Sequence, residues 1–399
     1  MSRQNRNVFY SSSFQIIDYV NKDIRLVCGG RRQDMQNIYI GSFPINGGGV
    51  TNKNRDLFDA LTARGVKISK IDLNEIKNRK SIVAFFKLTL ALLNRKNRFV
   101  IGISTGKSTR RDFCQLLYTV NRKSMEQSVL IMMGGNDNNN IIKDRVYAKW
   151  MACFRRIYVE TEGMRKSLES IGLNNVAVYP NCRFRQNVQI VPRTGVDCLS
   201  CVFFSSVQPE KGIDLILIAA KLLPSVHFFV YGRVIDSYKE CFEKKVKDLS
   251  NVFYVGNFQG SSEDVYNEIS KYDVLLLPTR WAAEGVPGIL VEGKIAGLAE
   301  IVTNHNYNAE IVTSGWDGII LKNNTADELI DAIKQLDNDR TMLLNMKLNS
   351  KISSEKYLIE NNITDIVNDI GGGVIKKQEP FCSLAFHIHS LQQCKIAVC

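Results

Sequence analysis

The sequence has no long hydrophobic run. Its longest apolar stretches, such as 213–223, are too short to cross a bilayer, so no membrane-spanning helix is expected. The opening residues, Met1-Ser-Arg-Gln-Asn-Arg, lead into a polar mix without the apolar segment of a secretory signal. The ten cysteines show no framework spacing, which points to a reducing compartment. Cys198-Leu-Ser-Cys201 is a CxxC within an apolar run, where alternation along a strand turns the two thiols apart. Histidine is scarce, at 227, 305, 387 and 389. His387 and His389 with Cys382 and Cys394 have poor spacing for a metal, and His305 reads as a surface-loop residue. The prominent DxD, Asp337-Asn-Asp339, falls in a polar link between helices rather than at a strand end, so no metal ligand is expected there. Gly106-Lys107-Ser108-Thr109 lacks the earlier glycine of a phosphate-binding loop (Ile101 stands there) and reads as a strand-to-helix turn. No short-period repeat is present. The positive charge is not gathered into one arm, basic helix or aromatic ladder, which disfavours nucleic-acid binding.

What is present is an ordinary globular composition. The 399 residues are 45% hydrophobic and 23% charged, enough for two domains with their own cores. The net charge of +12 suits anionic surroundings such as nucleotides or an acidic membrane face. From residue 36 onward short apolar strands alternate with helices. Strands fit 38–41, 66–71, 99–103, 129–133, 157–159 and 176–179, with helices at 54–64, 81–93, 112–120 and 162–171. After a polar stretch the pattern restarts, with strands at 199–204, 226–231, 252–255, 274–277 and 301–303. Helices fit 213–223, 238–247, 262–270, 288–296 and 323–336, and one long polar helix fits 340–369. Such alternation means parallel sheets covered on both faces, with ligands beyond the carboxyl ends of the strands. The expected fold is α/β, two doubly wound Rossmann-like domains facing across a cleft. The boundaries drawn are an N-terminal extension (1–35), a first Rossmann-like domain (36–190), a second (191–345), a C-terminal helix (346–370) and an unassigned tail (371–399).

The most informative segment is Glu284-Gly-Val-Pro-Gly-Ile-Leu-Val-Glu292, two glutamates with seven residues between them. Pro287 fits the first position of a helix. The first backbone N–H groups of that helix carry the positive end of its dipole and suit a diphosphate. The carboxylates would repel such an anion, so they are placed to accept hydrogen bonds from hydroxyls on either side of it. A nucleotide-sugar has that layout.

Four blocks then fall in one order: Ser205-Ser-Val-Gln-Pro-Glu-Lys211-Gly212, Val230-Tyr-Gly232, Val255-Gly256, and the paired glutamates followed by Glu310, Gly315 and Gly318. Upstream lies Tyr158-Val-Glu-Thr-Glu-Gly-Met164, then Leu168, Gly172 and Val178-Tyr-Pro-Asn181. Together they resemble the retaining family-4 (group 1) glycosyltransferases, which have GT-B architecture, over roughly residues 36–345. The resemblance implies that Lys211 and Glu284 are catalytic, Lys211 on the donor diphosphate and Glu284 on donor-sugar hydroxyls. It implies that Glu292 contacts the ribose. Gly48, Gly49, Ser206, Gly232, Val286, Pro287, Gly288 and Ile289 would complete the donor site. The donor would be a nucleoside-diphosphate-sugar, with no cofactor and no metal.

Two departures stand out. Ser206 occupies the place of an arginine beside the diphosphate; Arg233, Arg280 and Arg183 are candidates to replace that cation, and the sequence does not choose among them. No histidine stands at Gly134-Gly135, where many members carry one. The expected function is sugar transfer to a hydroxyl of a surface-glycan or lipid-linked acceptor, in the cytoplasm and peripheral to the inner membrane face. The alternative is a decayed member that binds nucleotide-sugar or a partner without turnover. Donor sugar, base, acceptor and oligomeric state are not legible.

Overall fold

The computed structural model describes residues 35–44, 49–104, 109–134, 137–188, 198–261, 263–282 and 284–371. Gly48, the residues 105–108 and the histidines of the tail lie outside these. The described residues from Gln36 to Gly371 belong to one compact unit.

Its first half alternates β1 (Asn37–Gly41), α1 (Gly49–Ala63), β2 (Ile68–Asp72), α2 (Leu73–Lys77), α3 (Ile82–Leu93), β3 (Arg98–Gly102), α4 (Thr109–Met125), β4 (Val129–Ile131), α5 (Asp137–Lys143), α6 (Arg145–Met151), β5 (Arg156–Val159), α7 (Glu162–Glu169) and β6 (Val176–Val178). The second half has β7 (Ser200–Phe204), α8 (Ile213–Leu222), β8 (His227–Tyr231), α9 (Lys239–Lys247), β9 (Val252–Gly256), α10 (Asp264–Ile269), β10 (Val274–Leu277), α11 (Gly288–Ala296), β11 (Ala299–Thr303), α12 (Asn308–Ile311), β12 (Gly318–Leu321) and α13 (Ala326–Asn338). It closes with α14 (Arg340–Ser353), α15 (Ile359–Asn362) and α16 (Thr364–Asp369).

The strands make two six-stranded parallel sheets, ordered β2-β1-β3-β4-β5-β6 and β12-β11-β10-β7-β8-β9. Each strand of the first sheet feeds two cores. Ile38, Ile40, Phe99 and Ile101 pack on one side, and Tyr39, Val100, Val129 and Tyr158 on the other. Side chains alternate across a strand, so a sheet with helices on both faces needs apolar residues at nearly every position. The fold is two doubly wound Rossmann-like domains. The strand order of each sheet reverses once, between β1 and β3 in the first and between β7 and β10 in the second. A crevice opens where strand order reverses, because the connections leave to opposite sides.

Two expectations need correction. The long helix over 340–369 is broken into α14, a 3-10 turn at Ser354–Tyr357, α15 and α16. Tyr357 and Leu358 belong to the core of the second domain, whereas Ile359, Ile363, Ile366 and Val367 belong to a core of the first. The chain therefore crosses between domains here, and a continuous helix could not present one apolar stripe to both. Beside this crossing runs the earlier one: Arg183 N–H donates to Tyr357 O at 2.9 Å, and Ile359 N–H donates to Arg183 O at 3.0 Å. The second correction is at Pro287, which is the residue capping α11 rather than its first turn, with φ −62° and ψ 123°. Five elements were absent from the sequence reading: α2, α5, α6, α12 and β12.

Candidate functional site

Lys211 ends the 3-10 turn that follows β7, and Glu284 lies in the loop that follows β10. They therefore meet at the reversal of the second sheet. Lys211 Nζ donates to Glu284 Oε2 in an ion pair whose side chains are 13% and 12% exposed. Thr279 Oγ1 donates to the same carboxylate oxygen at 3.1 Å, and the Lys211 ammonium sits 5.9 Å from the centre of the Trp281 ring. The loop bearing Glu284 is braced from below. Asn306 Nδ2 donates to Glu284 O at 2.9 Å, and His305 Nε2 lies 2.9 Å from Trp281 O. His305 is thus tied to the backbone of this loop.

Gly212 lets the chain turn sharply after Lys211. Its φ is 84°, and a Cβ there would lie 2.1 Å from Pro278 O. Gly232, at the end of β8, has φ 126°, and its Cβ would lie 1.8 Å from Ser205 O. Only glycine fits either place. These contacts bring Ser206, Gly232 and Lys211 to one rim. Ser206 Oγ accepts from Gln208 Nε2 at 3.1 Å.

Glu292, one turn into α11, does not join Glu284. Its Oε1 accepts from Arg183 Nε at 3.0 Å. Arg183 is buried and also donates from Nη1 to Asn181 Oδ1 at 2.8 Å and Cys182 O at 2.9 Å. A Cβ on Gly288 would stand 2.4 Å from Arg183 Nη2, so the guanidinium lies against the head of the helix. Burial alone would lower the Arg183 pKa; Glu292, with Tyr266 and Asp56, outweighs burial and holds it above its ordinary value. Of the three candidate replacement cations, Arg233 pairs with Asp236 on the exposed surface and Arg280 with Asp214; Arg183 is the one at the head of α11.

The first domain reaches the same helix through residues that sequence reasoning missed. Glu160 Oε2, just past β5, accepts the Val286 N–H at 3.4 Å, and its Oε1 accepts from Lys53 Nζ of α1 at 2.8 Å. Asn181 Nδ2 donates to Val286 O at 2.9 Å. Both polar groups of Val286 are thus engaged by the first domain, and its amide, expected to face a diphosphate, faces a carboxylate. That leaves Gly288 and Ile289 to head the helix. Glu310 accepts the Gly163 N–H at 3.1 Å from both carboxylate oxygens. The signal for Glu160 and Asn181 was their place in the upstream block, which carried no role for them; Lys53 gave none. Gly49 opens α1 and is exposed.

A cavity of about 680 Å³ runs between the domains beside these contacts. Asn52, Arg55 and Asp56 of α1 line it from one side, Tyr266 and Glu292 from the other, and Arg183 at its base. Burial raises the Asp56 carboxyl above its usual range, while Arg55 and Arg183 oppose the rise. Glu284 and Lys211 do not line this cavity. The two glutamates serve different places: one at the sheet reversal, one in the cleft.

Glycines at parallel strand ends, a lysine at the reversal, and one glutamate before and one within α11 make up the site. Residues 199–353 match the family of glycosyl transferases group 1. The group 1 segment covers the whole second sheet, with α13 and α14. The chain is similar to an Escherichia coli protein named UDP-Gal:alpha-D-GlcNAc-diphosphoundecaprenol alpha-1,3-galactosyltransferase. The two are 32% identical over 83 residues, 21% of either protein. It is 24% identical over 148 residues to a Campylobacter jejuni protein named N,N'-diacetylbacillosaminyl-diphospho-undecaprenol alpha-1,3-N-acetylgalactosaminyltransferase; that match covers 37% of this chain and 38% of the other. The matches span less than half the length of these curated relatives. The fold matches HepE of Anabaena, solved with UDP, with a TM-score of 0.63 at 13% identity, over 84% of this chain and 99% of HepE. The architecture is GT-B, as the resemblance implied.

Proposed function

We propose that the protein is a glycosyltransferase. It moves a sugar from a nucleoside-diphosphate-sugar to a hydroxyl of a surface-glycan or lipid-linked acceptor, with retention of configuration and no resident metal. The observation that carries the reading is the Lys211–Glu284 pair at the strand-order reversal of the second sheet. In the reaction the bond from the anomeric carbon to the diphosphate oxygen breaks, and its electron pair goes to that oxygen. The acceptor oxygen bonds to the same face of the carbon, and its proton passes to the leaving diphosphate. Lys211, with the amides of Gly288 and Ile289, meets the growing negative charge where it develops. Glu284 gives up the lysine and accepts from donor-sugar hydroxyls. Glu292, in the cleft, accepts from ribose hydroxyls, and Gly48 and Gly49 let the first domain approach the diphosphate. Ser206 and Gly232 line the rim.

The names of the Escherichia coli and Campylobacter relatives support a lipid diphosphate acceptor, and UDP in HepE supports the donor class. The enzyme would work in the cytoplasm, peripheral to the inner membrane face; among the described residues no helix is long and apolar enough to cross a membrane. The test is a donor screen by mass spectrometry, with titration calorimetry on the same nucleotide-sugars. Release of nucleoside diphosphate from one donor class supports transfer. Donor binding without release in any acceptor mixture would support the reading, favoured by Ser206, of a protein that binds and does not turn over.

A further inference from the structure

Helix α3 is inverted relative to an ordinary surface helix. Its sequence, Ile-Val-Ala-Phe-Phe-Lys-Leu-Thr-Leu-Ala-Leu-Leu, buries only Ala84, Ala91 and Leu92. The large apolar side chains point outward: Ile82 is 71% exposed, Val83 65%, Phe86 60%, Phe85 49% and Leu90 47%. A surface helix normally turns charge to solvent and its apolar stripe to the core. Contiguous exposed apolar patches mark interaction sites.

The charge around the patch indicates the partner. Residues 77–98 contain seven lysines and arginines and no aspartate or glutamate. Lys77, Arg79 and Lys80 precede the helix, Lys87 lies within it, and Arg95 and Lys96 follow; all six are exposed. Ser81 caps the helix through Ala84 N–H at 3.2 Å and so sets Arg79 and Lys80 beside Ile82. At 12 residues the helix is too short to span a bilayer and can only lie on one. Apolar side chains ringed by cations are the signature of a helix lying at an anionic lipid surface. A second copy of the chain would bring the same cations against themselves across a two-fold axis, which disfavours self-association.

We propose that α3 and its basic flanks dock the protein onto an anionic lipid bilayer. The placement serves the proposed function. In a parallel α/β sheet the helices run back against the strands, so the start of α3 lies toward the carboxyl ends, the side where the candidate site opens. A lipid-embedded acceptor would then present its head group toward the cleft. The inference rests on the transferase reading only for that last step.

The experiment is flotation of the full chain with vesicles of phosphatidylcholine alone, or of phosphatidylcholine and phosphatidylglycerol in equal parts. Partition should be at least about tenfold greater on the anionic vesicles and should fall with salt. Phe85→Ser/Phe86→Ser should reduce it about tenfold, with the melting temperature and the turnover of soluble donor unchanged. The charge variant Lys77→Glu/Arg79→Glu/Lys80→Glu should do the same. Equal partition on both vesicles would overturn the proposal. So would a Phe85→Ser/Phe86→Ser variant that floats like the parent, or one whose only change is conversion of a dimer to a monomer. Flotation as expected from a protein that turns over no donor would keep the docking surface and reject the transferase.

Discussion

Arg183, on the first crossing between the domains, holds Glu292 of α11 at 3.0 Å, and no other hydrogen-bond partner of the Glu292 side chain is seen among the described residues. The pair is buried on the arginine side, and the guanidinium also satisfies Asn181 and Cys182. Removing one member of a buried pair strands the other. Arg183→Ala empties the buried space of the guanidinium and takes the donor from Glu292, Asn181 and Cys182 together, so it should lower unfolding stability by about 3–5 kcal/mol, whereas Glu292→Gln keeps an acceptor for Arg183 and should cost about 1 kcal/mol. Urea melts of the two variants check this order. Equal losses would mean that the pair is screened by water.

Two glycines at the site rim separate backbone strain from steric conflict. Gly212 and Gly232 each combine a left-handed φ with a backbone oxygen at 2.1 and 1.8 Å from the missing Cβ. Gly172 and Gly256 have φ values of 87° and 86°, close to the 84° of Gly212, with nothing within 4 Å of the missing Cβ. Alanine at 172 or 256 should cost about 1–2 kcal/mol, the left-handed penalty alone. Alanine at 212 or 232 should cost roughly 1–3 kcal/mol more, since backbone must move. Thermal denaturation of the four single variants tests the contrast.

Behind α11, Lys294 lies between Asp317 at 2.8 Å and Glu300 at 3.3 Å, all three buried. One ammonium cannot neutralise two carboxylates. Burial pushes the Glu300 carboxyl up to about 8, Lys294 opposes and Asp317 reinforces the rise. The unfolded chain loses that proton near 4.5, so between 4.5 and about 8 the folded state binds more protons than the unfolded. Stability contributed by this group is full below that window and falls as pH rises through it. Glu300→Gln should flatten the decline of melting temperature across the window and melt above the parent at its upper end. A parent whose melting temperature rises through the same window would contradict the assignment.

The sheets were legible because their inner strands are buried on both faces and read as near-continuous apolar runs; the edge strands β2 and β9 are partly exposed. Short α5 and α6 were not: Asp137-Asn-Asn-Asn-Ile-Ile-Lys143 looks like a loop, and it is helical because Asp137 ties to Arg110 and Tyr147. The break of the helix after Ser353 was hidden because two apolar stripes for two cores look like one amphipathic stripe. Glu284 and Glu292 stood out in the sequence by type and spacing, and Lys211 through the resemblance of its loop. The contacts around them were not legible, since Arg183 reaches Glu292, and Glu160 and Asn181 reach Val286, only through packing of the domains, and ion pairs between residues 73 and 109 positions apart leave no local pattern.

The most direct test of the account is the initial rate of nucleoside-diphosphate release for the parent, Lys211→Ala and Glu284→Ala, measured with the donor class that the parent uses. The pair at the reversal of the second sheet predicts a loss of about a hundredfold or more in each variant, with each variant still cooperatively folded at the assay temperature. Folded variants that keep the parental rate would contradict it.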